Sequence, residues 1–175
     1  VVGVLLLEYE YDGVPGGMAD HSTLAYTTRC ATVRGLTFDV AKAGTLTPGL
    51  ESAFRDAVDA LQAGGGLVGI SGNCGFMMFY QQLVRSLADV PVFMSPLMQA
   101  PLVAAALPPA GIILVLTASK TDLMAAKEVM LTKAGVRVDD PDQFLIEGLE
   151  DLEGFECVAD PSRGAMDVPL VQRGV

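Results

Sequence analysis

Short runs of β-branched and aliphatic residues alternate along this chain with segments of helical periodicity. The alternation is typical of stacked βαβ units, in which parallel strands form a sheet that helices cover on both faces. We therefore predict an α/β fold with mostly parallel sheets. The predicted strands are Val2 to Tyr9, Arg29 to Arg34, Leu67 to Ile70, Val92 to Met94, Ile112 to Leu116 and Phe144 to Glu147.

Capping residues and apolar spacing predict three helices between these strands. The first begins after Thr47, which can cap it, and ends before the glycines at 64–66. The second follows Cys74, and the third runs from Lys120 to Ala134, with Ser119 and Asp122 as its capping pair. The apolar faces are Leu50, Phe54, Val58 and Leu61 in the first helix, and Phe76, Phe79, Tyr80, Leu83, Val84 and Leu87 in the second.

Residues 90–119 carry no charge and could suggest a membrane span. Five prolines interrupt them and would break a spanning helix repeatedly. We interpret the segment as a short buried helix, a Pro-Pro turn and a buried strand, and expect no membrane insertion. The prolines are Pro91, Pro96, Pro101, Pro108 and Pro109.

Composition excludes several function classes. A chain of 175 residues with 51% hydrophobic residues can fill a core, and its formal net charge of -10 offers no basic surface for nucleic acid. The cysteines Cys30, Cys74 and Cys157 have no CxxC spacing, and there is a single histidine, so we expect neither a disulfide framework nor a metal site. A reducing cytoplasm suits such cysteines best.

The stretch "VGISGNCGFMM" places Cys74 between a predicted strand and a predicted helix. A thiol at a helix N-terminus has a lowered pKa, Gly72 and Gly75 allow close approach to the backbone, and Asn73 can hydrogen-bond a ligand. The alternative is that Cys74 is a small buried residue without chemistry, as cysteines often are. Position alone leaves both interpretations open.

Other candidate sites are weaker. The single histidine, His21, could pair with Cys74 in a thiol hydrolase, but Phe76 stands where a nucleophile elbow has a small residue. A solvated loop histidine is the simpler interpretation. No glycine-rich segment has the spacing of a phosphate-binding loop, so we predict no nucleotide site and no cofactor.

Four segments in this order resemble proteins of the aspartate/glutamate/hydantoin racemase superfamily. They are "GVLLLEYEYDGVPGGMADHSTLAY", "GISGNCGFMMFYQQ", "PVFMSPLMQAPLVAAALPPAGIILVLTAS" and "FLIEGLED". The resemblance implies two flavodoxin-like lobes, with parallel sheets flanked by helices, that enclose a small carboxylate or amino-acid-like substrate. It implies a cofactor-independent isomerase, a racemase of amino acids of the aspartate/glutamate or hydantoin type, that transfers a Cα proton by a cysteine thiolate.

The resemblance also implies roles for particular residues. Cys74 matches the first catalytic cysteine, and Asn73 and Gly75 match positions that bind the substrate carboxylate. The turn Thr117-Ala118-Ser119 matches a second carboxylate-binding turn at a helix N-terminus. Glu8 and Tyr9 match residues at the border of the pocket.

The chain departs from this family in ways that affect the expectation. The second catalytic cysteine is expected beyond Val175, and Cys157 lacks its sequence context. Gly17, Asp20 and His21 differ from the family's first loop. We therefore expect a first lobe at residues 1–96 and a second, incomplete lobe at 97–175.

Alternatives remain at this stage. A decarboxylase or cis-trans isomerase of the same superfamily would need one essential cysteine, and a ligand-binding lobe without catalysis would need none. Self-association into a homo-oligomer is left open.

Overall fold

The computed structural model describes residues 1–8, 15–20, 22, 24–108, 110–135, 143–160 and 164–174. The chain divides into two compact units, Val1–Gln99 and Ala100–Val175. Each unit contains a parallel sheet with helices, so the predicted mixed α/β class is confirmed.

The first unit is built on a four-stranded parallel sheet in the order β2-β1-β3-β4. Its strands are β1 (Val2–Leu6), β2 (Thr28–Thr32), β3 (Gly69–Gly72) and β4 (Val92–Phe93). β4 pairs with β3 over two residues only, Ile70 with Val92 and Ser71 with Phe93. Because the strands are parallel, all their carboxyl ends lie at one edge of the sheet.

The helices of this unit include α1 (Phe38–Ala43) and α2 (Pro48–Ala63). Thr47 caps α2 as predicted, since its hydroxyl accepts from the Leu50 N–H at 3.2 Å. The four residues predicted for the apolar face are all buried. The C-terminus of α2 is bound by Arg29 of β2, whose guanidinium donates to the carbonyls of Leu61, Gly64 and Gly65.

The prediction of a single helix after Cys74 is wrong. A 3₁₀-helix (Gly75–Tyr80) comes first, followed by α3 (Gln81–Leu87), and a second 3₁₀-helix (Pro96–Gln99) follows β4. The predicted stripe had one apolar face, whereas the successive residues Phe76, Met77 and Met78 are all buried. With three residues per turn, a 3₁₀-helix directs such a run to all its sides, so this helix is enclosed rather than laid on a surface.

The second unit pairs β5 (Ile113–Thr117) with β6 (Phe144–Gly148) in parallel, with Ile113 opposite Phe144 and Thr117 opposite Gly148. Its helices are α4 (Ala100–Ala106), α5 (Lys120–Ala134), α6 (Glu156–Ala159) and α7 (Val168–Gly174). The predicted cap of α5 is confirmed, because the Ser119 hydroxyl accepts from the Asp122 N–H at 3.3 Å.

Burial in the second unit differs from the prediction. β5 was expected to be buried on both faces, yet Leu114 and Leu116 are 54% and 60% exposed. α4 was expected to be buried, yet Leu102 is 75% exposed. The apolar run at 100–116 therefore reflects one covered face of the sheet and not two. Within the ranges described, no helix combines the length and apolarity that crossing a membrane requires.

Candidate active site

The carboxyl ends of β1 and β3 form the point where strand order reverses, since the chain passes from β1 to β2 on one side and returns to β3 on the other. Ligands of open parallel sheets bind in the crevice outside such a switch point. Asn73 joins the two strand ends there: its N–H donates to Leu5 O at 3.1 Å, and its Oδ1 accepts from the Leu7 N–H at 3.1 Å. The next residue is Cys74.

The Cys74 thiol is half-buried at the start of the 3₁₀-helix. Burial raises the pKa of Cys74 above its ordinary value, while hydrogen bonds from the backbone N–H groups of Phe76 and Met77 act in the lowering direction. The predicted lowering of this pKa is therefore wrong. A six-residue 3₁₀-helix presents few aligned peptide dipoles, and the loss of hydration outweighs them.

The two glycines that flank Cys74 have different surroundings. A Cβ on Gly72 would lie 2.7 Å from the Met94 carbonyl oxygen and 2.7 Å from Met77 Sδ, so the fold requires glycine there. A Cβ on Gly75 would meet a single atom within 4 Å among the described residues, Ser95 Oγ at 3.9 Å. The space beside Gly75 is therefore open, and a ligand can approach the backbone next to the thiol.

Tyr80 was predicted only as part of an apolar stripe, but its pKa depends in part on the charge of Cys74. Its buried hydroxyl donates to the carbonyls of Val40 (3.1 Å) and Thr45 (2.9 Å), and its ring packs 4.8 Å from that of Phe54. Burial, and secondarily the negative charge of a Cys74 thiolate, raises the pKa of Tyr80 to about 12. Tyr80 therefore remains protonated, and its hydroxyl joins the 3₁₀-helix to α1 at Val40 and to the segment after α1 at Thr45.

Two buried polar residues near this edge were missed from the sequence. Gln81 is 3% exposed and binds the backbone of the β4 segment with both ends of its amide: Nε2 donates to Val92 O and Oε1 accepts from Met94 N, each at 2.9 Å. Ser95, also 3% exposed, is the residue directly after Met94. Its Oγ accepts a hydrogen bond from the Leu97 N–H at 3.2 Å. The signal that could have identified them is a polar residue inside an apolar run.

Of the predicted border residues, Glu8 is exposed and its carboxylate accepts from the Gly35 N–H at 2.9 Å. Its own N–H donates to Leu36 O at 2.8 Å, so Glu8 fastens the loop after β2 to the end of β1. Tyr9 and His21 lie outside the described residues, so their predicted roles stay predictions.

The predicted second carboxylate-binding turn, Thr117-Ala118-Ser119, lies in the second unit between β5 and α5. The Lys120 N–H, at the start of α5, already donates to both carboxylate oxygens of Glu150, at 3.0 and 3.1 Å. The Ser119 hydroxyl accepts the cap hydrogen bond from the Asp122 N–H. The backbone donor expected for a substrate carboxylate, the Lys120 N–H, is thus used by the chain itself.

The other cysteines differ from Cys74 in setting. Cys30 lies on β2 and Cys157 is buried in α6. Both thiols have raised pKa values, chiefly through burial. No group of three or more histidine, cysteine or acidic residues within the described ranges could hold a metal ion.

Together, these features define an α/β protein with a thiol at the switch point of a parallel sheet, beside an open space. The chain is similar to proteins named dimethylsulfoniopropionate lyases. It is 37% identical to dimethylsulfoniopropionate lyase 3 of Emiliania huxleyi over 166 residues, covering 95% of this chain and 43% of that protein. It is 32% identical to dimethylsulfoniopropionate lyase of Durusdinium sp. clade D over 174 residues, covering 99% of this chain and 57% of that protein.

The chain therefore spans about half the length of the curated relatives it matches. Dimethylsulfoniopropionate lyase 5 of Emiliania huxleyi is another such relative, 37% identical over 99% of this chain and 34% of that protein. No family model matches the chain. No solved structure matches it either.

These relatives correct the resemblance drawn from sequence segments. The assignment to the racemase superfamily is wrong, and so are the isomerase class and the racemase function that it implied, because the relatives carry the name of a lyase. A shared α/β fold does not by itself imply a shared reaction.

Proposed function

We propose that this chain carries a lyase site for dimethylsulfoniopropionate or a closely related sulfonium carboxylate, with Cys74 as the base. The similarity to lyases over 95% and 99% of the chain supports the reaction class. The position of Cys74 at the switch point, with two backbone N–H groups directed at its sulfur, supports the choice of residue. The proposed substrate is a small carboxylate, which is also the kind of substrate that the resemblance in the sequence implied.

The chemistry of such a substrate suits one thiolate. The sulfonium sulfur on C3 is a good leaving group, and the proton on C2 is acidified by the adjacent carboxyl group. Cys74 removes the C2 proton, the C–H electron pair becomes the C2–C3 double bond, and the C3–S bond breaks with its electrons on sulfur. The products are acrylate and dimethyl sulfide, and the Cys74 thiol returns its proton to water.

Two features of the site serve this step. The N–H groups of Phe76 and Met77 stabilise the thiolate before it accepts the proton. Partial burial removes water from the thiolate, which makes it a stronger base once it is ionised. Because burial also raises the pKa of Cys74, the rate should rise with pH to above 9.0, the ordinary value for this group.

Three further statements belong to this proposal. The strand order of the first unit, β2-β1-β3-β4, matches the first four strands of the flavodoxin-like order 2-1-3-4-5, which supports the predicted lobe type. Lobes at residues 1–96 and 97–175 are retained as domain assignments. A reducing, cytoplasmic location is kept as an expectation, because the three cysteines have no CxxC spacing and are odd in number.

The test is dimethyl sulfide release, measured by headspace gas chromatography on the polypeptide as its gene encodes it. Cys74→Ala should lower the rate by about 100-fold or more, the usual contribution of a general base. Cys30→Ala, a matched change on β2, should stay within about twofold of wild type because Cys30 lies outside the switch point. Release that survives Cys74→Ala refutes the role of the thiol, and a wild-type protein without release refutes the function.

A ligand-binding unit without catalysis is the second candidate, and the raised pKa of Cys74 favours it because such a thiol is mostly protonated at neutral pH. Calorimetry separates the two. Binding of dimethylsulfoniopropionate without conversion supports the second candidate and excludes the first.

A further inference from the structure

The edge of the sheet beyond Cys74 contains a hydroxyl group that has no assigned role, that of Ser95. It follows β4, is 3% exposed, and its oxygen accepts one hydrogen bond from the Leu97 N–H. That bond uses the oxygen as an acceptor and leaves the hydroxyl proton to donate. Ser95 Oγ is also the one described atom, apart from Gly75 itself and its chain neighbours, that lies within 4 Å of an ideal Cβ position on Gly75, at 3.9 Å.

The backbone N–H of Gly75, the residue after Cys74, is a second polar group near this hydroxyl. The first hydrogen bond of the 3₁₀-helix is donated by Met77 to Cys74 O at 3.0 Å, so the Gly75 N–H precedes the hydrogen-bonded part of the helix. Gly75 is exposed and Ser95 is buried. The Gly75 N–H and the Ser95 hydroxyl are therefore two candidate donors to a ligand beside the thiol.

We propose that Ser95 donates a hydrogen bond to the carboxylate of the substrate and thereby orients the C2 proton toward Cys74. This inference rests on the proposed function for its substrate, and it adds a residue that determines specificity for a carboxylate. A carboxylate in this space gains negative charge as the C2 proton leaves. A donor fixed beside it is therefore most useful in the transition state.

Gln81 explains why Ser95 is held in place. β4 pairs with β3 over two residues only, and the Gln81 amide binds the β4 segment at Val92 O and Met94 N. Met94 is the residue directly before Ser95. Gln81 is therefore a positioning residue for the Ser95 hydroxyl.

The test uses selective alkylation of Cys74, which does not depend on turnover. Iodoacetate carries a carboxylate and iodoacetamide carries a neutral amide of similar size, and each forms an S–C bond with release of iodide. The rate ratio of iodoacetate to iodoacetamide is measured for each cysteine by peptide mass spectrometry. Cys30 in the same protein provides the reference ratio.

We expect the ratio at Cys74 to exceed that at Cys30 by about tenfold or more, as a hydrogen bond to a charged group would give. Ser95→Ala should reduce the ratio to the reference value. The matched control is Ser71→Ala, which removes a hydroxyl that donates to Phe93 O at 2.8 Å on the same sheet, and it should leave the ratio unchanged.

Gly75→Ala is a second variant that tests the same space in case Ser95→Ala does not fold. Its methyl group would occupy the open space without a clash, so the ratio should fall while the melting temperature stays within a few degrees of wild type. Equal ratios at Cys74 and Cys30 in the wild-type protein overturn the assignment of Ser95. A high ratio in a protein that releases no dimethyl sulfide supports the carboxylate site and refutes the lyase function alone.

Discussion

Replacing Gln81 by methionine tests whether one buried side chain holds the β4 segment in place. Methionine has a similar length and no amide, so the change removes two hydrogen bonds of 2.9 Å and leaves Val92 O and Met94 N without their partner. Each unpaired buried group costs about 1 to 3 kcal/mol. With two such groups, we expect the free energy of unfolding of the first unit to fall by about 2 to 6 kcal/mol.

The measurement is urea unfolding followed by circular dichroism, with Gln62→Met as the control. Gln62 also accepts a backbone hydrogen bond, from the Asp89 N–H at 2.8 Å, but that bond is exposed. Its loss should cost less than about 0.5 kcal/mol, as for most surface changes. A loss below about 1 kcal/mol for Gln81→Met would refute the reasoning, since it would mean that β4 is held without the amide.

Gln81→Glu sharpens the same test through pH. A carboxylate keeps the acceptor for Met94 N but has no proton to donate to Val92 O, whereas a protonated carboxyl group has both. The folded state of this variant should therefore bind a proton at position 81 more tightly than the unfolded state does, which raises the folded pKa of the new carboxyl group. Stability should be greatest at acid pH and fall as pH rises through that pKa, and equal stability at pH 5 and pH 8 would contradict this.

Three other outcomes follow from contacts in the first unit. Gly72→Ala should lower its stability by about 1 to 3 kcal/mol in urea unfolding, because the new Cβ would lie 2.7 Å from Met94 O; an unchanged midpoint would contradict this. Burial raises the folded pKa of Cys74, so this group's stabilisation is complete below its unfolded pKa and is lost as pH rises above 9.0; Cys74→Ala should flatten that alkaline decline, and an identical decline would refute it. Arg29→Met should cost about 1 kcal/mol by releasing the carbonyls at the end of α2, against less than about 0.5 kcal/mol for Arg55→Met, which breaks an exposed ion pair.

Local sequence signals predicted much of the architecture. Each predicted strand has a counterpart in the structure, and the caps Thr47 and Ser119 act as their residue types indicate. These features depend on residues within a few positions of one another. Periodicity and capping therefore suffice to locate them.

The chemistry of Cys74 was predicted less well, because it depends on contacts between distant segments. The direction of its pKa shift follows from burial, which the sequence of one turn does not specify. Gln81 and Gln82 are adjacent and identical, yet only Gln81 is buried against β4. Choosing between them requires the position of a strand that begins eleven residues later.

The turn at the start of α5 illustrates the same limit at a helix that was predicted correctly. Its N-terminus suits an anion, as the sequence suggested, but the anion is the Glu150 carboxylate, thirty residues beyond Lys120. A substrate carboxylate would have to displace Glu150 and would also approach Glu147, which pairs with the Lys120 ammonium group at 3.2 Å. The negative charges of Glu147 and Glu150 would repel a second carboxylate at this turn. The open space beside Gly75 therefore suits the carboxylate of the proposed substrate better than the turn at Ser119 does.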